Sequence, residues 1–369
     1  MVDLKGQYEK IKSEVNAGIQ EVIDSTTFIK GGKVTEFQQH LEEYLHLSHV
    51  IPVGNGTDAL QIALMALGLQ PGDEVIAPTF TFIATAEVIA LLQLTPVLVD
   101  VDPQTFNITP EAFRNAITAK TKAVIPVHLF GQNAAMEEIL QIAAENNIFV
   151  IEDACQSIGA KYTFSDGRVV QSGCMGHIGC TSFFPSKNLG CYGDGGALFT
   201  NDDNLAKRIR SIANHGMETR YYHDHIGVNS RLDSMQAAVL DVKLHHLDTY
   251  IAARQQAADF YDKAFAGHPS LIIPARQPGS GHVFHQYTLQ LKNVDRNQLI
   301  EHLKSKGIPA MVYYPVPVHL QKAYRSERYK DGDFPVAEQL SASVLSLPMH
   351  TELSHGQLEH ITQTVLNFF

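Results

Sequence analysis

The first half of the chain alternates short apolar segments with longer segments of helical periodicity. The apolar segments are rich in Val and Ile and carry few polar residues, which is typical of strands in a parallel sheet covered by helices on both faces. The predicted strands are 49–53, 74–77, 96–101, 123–127 and 148–151. We therefore predict an α/β fold with a mostly parallel central sheet flanked by helices.

The pattern changes after residue 181. Two further strands are predicted at 181–184 and 197–200, and a long helical stretch rich in Ala and Gln runs from about 233 to 266. A linker-like segment at 274–281 then precedes mixed strand and helix patterns. We predict an N-terminal segment and large domain over residues 1–245 and a smaller C-terminal α+β domain over residues 246–369.

The charge balance of the chain excludes some classes of partner. The 369 residues include 28 Lys and Arg against 39 Asp and Glu, a formal net charge of −11. Proteins that coat nucleic acids or membrane surfaces usually carry a basic excess, so we expect neither partner. An anionic small-molecule substrate is still compatible, because the local field of a site need not follow the global charge.

The cysteines and the N-terminal residues indicate a cytoplasmic protein. Cys155, Cys174, Cys180 and Cys191 are too few for a disulfide scaffold, and no pair has C-x-x-C spacing. The first five residues carry charges where a signal peptide needs an apolar run. No apolar stretch approaches the roughly 18 residues of a membrane-spanning helix. We expect reduced thiols and a soluble, cytoplasmic chain.

A glycine-rich turn at residues 54–57 lies between a predicted strand and a predicted helix. With Ala59 it matches the dinucleotide fingerprint G-x-G-x-x-A. That interpretation also needs an acidic residue at the end of the second strand, which here ends in Ala77 and Pro78. A glycine-rich turn that opens a helix nevertheless offers unpaired N–H groups to a phosphate. An ordinary helix N-cap is the alternative.

A second polar segment follows the strand predicted at 148–151. Asp153 and Gln156 lie where ligands of open α/β sheets bind, outside the carboxyl ends of the strands. A carboxylate at this place can pair with a protonated ring nitrogen, and Gln156 can reach the same ligand. An Asp that caps the following turn is the alternative.

One lysine, Lys187, lies between an aromatic strand and a glycine-rich loop. A lysine in a partly desolvated pocket has a lowered pKa, which covalent chemistry on a carbonyl requires, whereas most loop lysines are simply solvated. Ser182 and the Gly195-Gly196 pair favour the catalytic interpretation here. A phosphate-binding turn, a carboxylate and a reactive lysine, in this chain order, are the parts of a pyridoxal phosphate site.

These segments resemble those of the DegT/DnrJ/EryC1 family of nucleotide-sugar aminotransferases, which are fold-type I (aspartate aminotransferase-like) enzymes. The resemblance is carried by residues 55–60, 152–157, 182–197 and 227–238, in the family's order, and it extends over nearly the whole chain. It implies the aspartate aminotransferase-like fold, pyridoxal 5'-phosphate (PLP/PMP) as cofactor and transamination of a keto-sugar nucleotide.

The resemblance also implies a set of cofactor contacts. Lys187 falls on the lysine that binds the cofactor covalently, and Asp153 falls on the carboxylate that pairs with the pyridine nitrogen. The remaining positions are Gly56, Thr57 and Ser182 for the phosphate, Gln156 for the ring oxygen and Phe82 for stacking on the ring. A Phe buried for packing alone is the alternative at residue 82.

Other positions imply a shared site and a substrate loop. Asn229 falls on a residue that reaches the phosphate across a subunit interface, which implies a homodimer with shared active sites. Arg231 resembles a substrate-side residue whose guanidinium suits a carboxylate or phosphate, with a surface salt bridge as the alternative. Residues 313–319 resemble the substrate loop, which makes Tyr313, Tyr314 and His319 candidates to contact the sugar.

Three histidine pairs suggest a metal site. They are His223 with His225, His245 with His246, and His282 with His285. None comes with a convincing third ligand in the sequence, and 18 histidines in 369 residues make chance pairs common. We expect no metal.

The resemblance implies transfer of an amino group from glutamate to a keto-sugar nucleotide. The segments around Lys187 are most similar to the branch that acts on UDP-2-acetamido-2-deoxy-3-oxo-glucuronate for lipopolysaccharide O-antigen. That branch is expected to have His-Tyr-Pro where this chain has Tyr313-Tyr314-Pro315. A UDP- or dTDP-linked 3-oxo or 4-oxo 6-deoxyhexose is therefore an open alternative. More distant alternatives are a nicotinamide-dependent oxidoreductase and a non-catalytic regulator of the same fold.

Overall fold

The computed structural model describes residues 1–369, and its strands and helices alternate as predicted. The helices are α1 (Leu4–Ser25), α2 (Gly32–Leu45), α3 (Gly56–Ala66), α4 (Ala84–Leu91), α5 (Pro110–Asn115), α6 (Met136–Asn146), α7 (Asp203–Ala213), α8 (Ser234–His245), α9 (Leu247–Phe265), α10 (Arg296–Ser305), α11 (Pro335–Ser343) and α12 (His355–Leu366). The strands are β1 (His49–Val53), β2 (Glu74–Pro78), β3 (Thr95–Val99), β4 (Thr121–Val124), β5 (Phe149–Asp153), β6 (Lys161–Thr163), β7 (Val169–Gln171), β8 (Ile178–Ser182), β9 (Gly196–Thr200), β10 (Leu271–Ile272), β11 (Tyr287–Leu291) and β12 (Val344–Leu347). None of the helices combines the length and the apolar character that crossing a bilayer requires.

A seven-stranded sheet in the order β1-β9-β8-β5-β4-β2-β3 forms the centre of the protein. The run from β8 to β3 is parallel throughout. Strand β9 is antiparallel to both of its neighbours, β8 and β1. The sheet is therefore mostly parallel, and the α/β fold class predicted from the sequence is confirmed.

Helices cover both faces of this sheet, which explains why its strands are apolar on both sides. Val75 and Ala77 pack with α3, α4 and α7, whereas Ile76 between them packs with α5 and α6 on the other face. Towards the β1 edge, that second face is covered by α2 and α8. The loops that follow β2, β5 and β8 lie at the carboxyl edge of the sheet, where they can form a site.

A second, three-stranded antiparallel sheet is formed by β10, β11 and β12. It packs with α9, α10 and α12 around a hydrophobic core of its own, which includes Tyr261, Tyr287 and Leu299. This unit has the α+β character expected of the smaller C-terminal domain. The boundary near residue 245 stays a proposal.

Some elements differ from the sequence-based expectation. The helical stretch predicted over about 233–266 is divided into α8 and α9 at His246, whose φ and ψ are −100° and −2°. The hairpin of β6 and β7 was not predicted, because strands of three residues are too short to show a periodic pattern.

Glu152 in β5 is a fully buried carboxylate that holds the loop before β8 in place. Its Oε2 accepts from His128 Nε2 at 2.8 Å, and its two oxygens together accept from three backbone N–H groups within residues 173–176. His128 Nδ1 accepts from the N–H of Ala134 at 3.1 Å, so Nε2 carries the proton. The position of the next residue, Asp153, is thereby fixed at the end of β5.

We predict that Glu152→Ala lowers the free energy of unfolding by about 3–5 kcal/mol, because His128 and the loop N–H groups lose their buried acceptor. Urea unfolding followed by circular dichroism measures this change. The matched control is Glu145→Ala, which removes an exposed ion pair with Arg114 and should cost no more than about 1 kcal/mol. Equal losses in the two variants would contradict the role assigned to Glu152.

Candidate active site

A cleft of about 670 Å³ lies at the carboxyl edge of the central sheet. It is bordered by the start of α3, the ends of β2 and β5, the loop after β8 and two segments of the C-terminal half. Ligands of open α/β sheets bind at this edge. Nine of the residues expected from the sequence line it: Gly56, Thr57, Phe82, Asp153, Gln156, Ser182, Lys187, Tyr313 and Tyr314.

The start of α3 forms one end of the cleft. Asn55 is the N-cap, and its Oδ1 accepts from the N–H of Asp58 at 2.8 Å. The N–H groups of Gly56 and Thr57 belong to the first helical turn and have no acceptor within the helix. A Cβ on Gly56 would lie 2.8 Å from the Cβ of Ser182, so glycine is needed for this approach. The helix is therefore capped and also presents an anion-binding end to the cleft.

Asp153 contributes a buried carboxylate at the end of β5, with 6% of the residue exposed. Its Oδ2 accepts from the hydroxyl of Thr85 at 2.9 Å, and its Oδ1 accepts from the N–H of Cys155 at 3.2 Å. Neither oxygen forms a salt bridge with a Lys, Arg or His, although Lys187 lies close enough for a longer-range electrostatic interaction. A buried carboxylate with only neutral donors is poised for a cationic ligand group. Thr85 was missed because no sequence pattern links it to Asp153.

Gln156 joins two loops that border the cleft. Its Oε1 accepts from the N–H of Phe130 at 2.7 Å, and its Nε2 donates to the hydroxyl of Tyr314 at 3.1 Å. Burial raises the pKa of Tyr314, so this hydroxyl keeps its proton. Phe82, whose ring centroid lies 6.2 Å from that of Tyr314, is 54% exposed and is not a core residue.

Lys187 follows β8 in a turn in which its N–H donates to the carbonyl of Phe184 at 2.8 Å. Burial lowers the pKa of the Lys187 amine below its ordinary value, and the nearby groups Cys155 and Asp153 oppose this shift only in part. A desolvated lysine of this kind is more readily neutral and can act as a nucleophile and a base.

His285 also lines the cleft, although the sequence presented it only as half of a histidine pair. It is buried, its Nδ1 has no hydrogen-bond partner, and burial lowers its pKa well below the ordinary value. Buried Arg254 donates to the carbonyls of Phe284 and His285 and so fixes this segment. The other half of the pair, His282, stacks on Phe284 with centroids 3.8 Å apart and does not form a site with His285.

Asn229 and Arg231 do not line the cleft of their own chain. They flank Ser230, whose hydroxyl donates to Asp58 at 2.5 Å, so their segment is tied to the start of α3. Asn229 is exposed, and Arg231 lines a separate cavity of about 240 Å³ with the basic side chain of Lys30. One chain therefore holds both residues near the start of α3 without placing them in its cleft.

His319 lies outside the cleft and is 1% exposed. Its Nδ1 is hydrogen-bonded to the hydroxyl of Thr79 at 2.8 Å, and its Nε2 to the carboxylate of Glu338 at 3.0 Å. Both ring nitrogens are thus used within the protein. The structure corrects the expectation that His319 faces the sugar: it anchors the 313–320 loop to the end of β2.

Comparison with known proteins gives a family match over almost the whole chain. Residues 9–366 match the model of the DegT/DnrJ/EryC1/StrS aminotransferase family. The chain is 47% identical to a "pleiotropic regulatory protein" of Geobacillus stearothermophilus, with 100% of this chain and 98% of that protein covered. It is 45% identical to a UDP-2-acetamido-2-deoxy-3-oxo-D-glucuronate aminotransferase of Pseudomonas aeruginosa, with 99% of each covered. It is 42% identical to a UDP-N-acetyl-3-dehydro-alpha-D-glucosamine 3-aminotransferase of Acidithiobacillus ferrooxidans, with 99% and 96% covered.

Solved structures agree with this match. A DegT DnrJ EryC1 StrS aminotransferase from Brucella abortus has 43% sequence identity and a TM-score of 0.94, over 100% of this chain and 98% of that one. The ntda protein of Bacillus subtilis, solved with bound cofactor PMP, has 31% identity and a TM-score of 0.89, over 97% and 82% of the two chains.

We predict that His319→Ala destabilises the fold by about 2–4 kcal/mol, because Thr79 and Glu338 lose a buried partner and a cavity forms. Thermal unfolding measures this loss. The control His360→Ala, on the exposed side of α12, should change stability by no more than about 0.5 kcal/mol. Unchanged stability together with a raised KM would instead place His319 in the substrate site.

Proposed function

Because the chain belongs to the DegT/DnrJ/EryC1/StrS aminotransferase family, we propose that it transfers the amino group of glutamate to the 3-oxo carbon of UDP-2-acetamido-2-deoxy-3-oxo-glucuronate. The enzyme is a PLP-dependent sugar aminotransferase. One observation carries the proposal: a single cleft holds Lys187, the buried carboxylate of Asp153 and the anion-binding start of α3. The product would serve lipopolysaccharide O-antigen or a related surface glycan, and a cytoplasmic location stays a prediction.

The residues of the cleft fit pyridoxal phosphate. Asp153 is buried without a cationic partner in the protein, and a protonated pyridine nitrogen would supply one. The start of α3 would hold the phosphate together with Thr57 and Ser182. These groups lie close together because Gly56 has no Cβ that would collide with Ser182. Gln156 would contact the ring oxygen, and the exposed ring of Phe82 would stack on the cofactor.

Bound pyridoxal phosphate supplies an aldehyde that accepts an amino group and a protonated ring that withdraws electrons from the neighbouring carbon. Asp153 would hold the proton on the ring nitrogen. Lys187 would bind the cofactor covalently, and its free amine would take a proton from the carbon that bears the amino donor's nitrogen and deliver it to the carbon of the former aldehyde. Its lowered pKa favours the neutral amine that this first transfer needs.

We also propose that Asn229 and Arg231 complete the site of the partner subunit in a homodimer. Two observations support this: neither residue lines the cleft of its own chain, and their segment is fixed to α3 through Ser230 and Asp58. Asn229 would contact the phosphate, and the guanidinium of Arg231 would suit a uronate carboxylate or a phosphate.

The choice of acceptor rests on the relatives. Two of them, at 45% and 42% identity, are named as aminotransferases of UDP-linked 3-oxo sugars. A Streptomyces venezuelae relative at 39% identity, with 99% and 94% covered, is named for a dTDP-linked 3-amino sugar, so a dTDP- or UDP-linked 6-deoxyhexose is the alternative. The Geobacillus relative is named as a regulator, but Lys187 and Asp153 in one cleft favour catalysis here.

A substrate panel tests this choice. The pyridoxamine form of the enzyme is mixed with 3-oxo and 4-oxo sugar nucleotides, as uronates and as 6-deoxy sugars, and the absorbance of the aldehyde form is followed. We expect recovery with the UDP-linked 3-oxo uronate to be fastest. Recovery with 4-oxo sugars alone would exclude the proposed acceptor.

We predict that Lys187→Ala retains the cofactor by its non-covalent contacts but lowers kcat by about 10²–10⁴-fold or more, because the proton-transferring amine is lost. Production of 2-oxoglutarate from glutamate measures turnover, and absorbance after dialysis measures retained cofactor. Lys304→Ala, an exposed lysine on α10, is the control and should match the wild type. Rapid turnover by Lys187→Ala would refute the assignment.

Subunit complementation tests the shared site. Lys187→Ala and Asn229→Asp are each expected to be inactive, the second because a negative charge would face the phosphate. On random co-expression about half of the dimers are mixed and each has one intact site of two, so about one quarter of the wild-type activity is expected. Activity no higher than that of the two parent variants would show that the sites are not shared.

A further inference from the structure

A cluster of three potential metal ligands lies on the surface, where α2 packs against α8. His40 of α2 and Asp241 and His245 of α8 place one ligand atom each within 4.8 Å of one another. None of the three lines the catalytic cleft. The sequence showed His245 only beside His246, because the other histidine ligand lies about two hundred residues earlier in the chain.

Two features of the helices form this cluster. Asp241 and His245 are four residues apart on α8 and therefore lie on the same face of the helix. His40 Nδ1 lies 2.6 Å from Asp241 Oδ1, and the rings of His40 and His245 have centroids 5.6 Å apart. His246 is directed elsewhere, since its ring stacks on Tyr250 at 6.0 Å.

The three donors are two imidazole nitrogens and one carboxylate oxygen. This mixture suits a tetrahedral Zn²⁺, whereas Mg²⁺ and Ca²⁺ prefer oxygen ligands throughout. The His40 side chain is 40% exposed and that of Asp241 is 15% exposed, so an ion can enter from solvent and keep water as its fourth ligand. We propose that His40, Asp241 and His245 bind one Zn²⁺ ion per chain, although no metal was expected from the sequence.

The two helices are already held together beneath the cluster. Phe37 and Leu41 of α2 pack with Leu240 and Leu244 of α8 in a buried core. Because this packing fixes the helix positions before an ion arrives, small side-chain movements suffice to replace the bond between His40 and Asp241 by two bonds to the metal.

A bound ion would strengthen the packing of α2 against α8, and α8 begins next to the residues that are proposed to complete the active site. At the start of α8, the N–H of Ser234 donates to the carbonyl of Phe28 at 2.9 Å, and the Ser234 hydroxyl accepts from the N–H of Gly31 at 3.2 Å. The same helix follows directly on the segment that holds Asn229 and Arg231. The ion would therefore stabilise the fold rather than take part in the chemistry.

Calorimetric titration of ZnCl₂ into the tag-free, full-length holoenzyme tests the proposal. We expect one equivalent per chain. Removing a residue that only hydrogen-bonds to a metal ligand typically weakens metal binding about 10–100-fold. Removing a ligand itself, in His245→Ala or Asp241→Asn, should therefore weaken Zn²⁺ binding at least about tenfold. His355→Ala is the matched control, because His355 and Glu359 have the same spacing on α12 but lack a third ligand.

Thermal unfolding gives an independent readout. Excess Zn²⁺ should raise the unfolding temperature of the wild type and of His355→Ala but not that of the two ligand variants, since an ion that binds only the folded state stabilises it. Absence of stoichiometric binding, or equal affinity in His245→Ala, Asp241→Asn and the wild type, would overturn the proposal. Neither outcome depends on the aminotransferase activity.

Discussion

Two adjacent carboxylates at the end of β5 set the geometry of the carboxyl edge of the central sheet, where the cleft lies. Because side chains alternate along a strand, Glu152 points into the protein and Asp153 points into the cleft. A carboxylate can be buried only if hydrogen bonds replace its lost water. Glu152 obtains these bonds from His128 and the loop before β8, whereas Asp153 receives two neutral donors and no cation. The first carboxylate thus stabilises the fold, and the second is left for a cationic group of a ligand.

The same edge explains how an acidic chain can bind anionic ligands. The net charge of −11 is a property of the whole chain, whereas the groups that would meet a phosphate are local. They are the start of α3, the hydroxyls of Thr57 and Ser182, and the basic cavity around Arg231 and Lys30. Charge balance therefore argues against a polyanion-coating protein without bearing on the ligands of the cleft.

Cleft residues within a sequence motif were predicted, and those outside any motif were not. Gly56, Asp153 and Lys187 each lie beside a strand end, so local pattern and strand position together located them. Thr85 reaches Asp153, and His285 reaches the cleft, only because the folded chain brings α4 and the segment before β11 next to the end of β5. His319 shows the converse: its segment resembles a substrate loop, yet both ring nitrogens are bonded within the protein.

The sequence by itself determined the α/β class and the order of the chemical groups, because apolar periodicity and glycine placement are local properties of the chain. Only the tertiary structure decided which groups meet. It brought His40 to Asp241 and His245 across two helices, separated His282 from His285, and placed Asn229 and Arg231 outside the cleft of their own chain. These outcomes depend on contacts between residues far apart in the sequence, and packing of whole helices and sheets, rather than any short pattern, fixes such contacts.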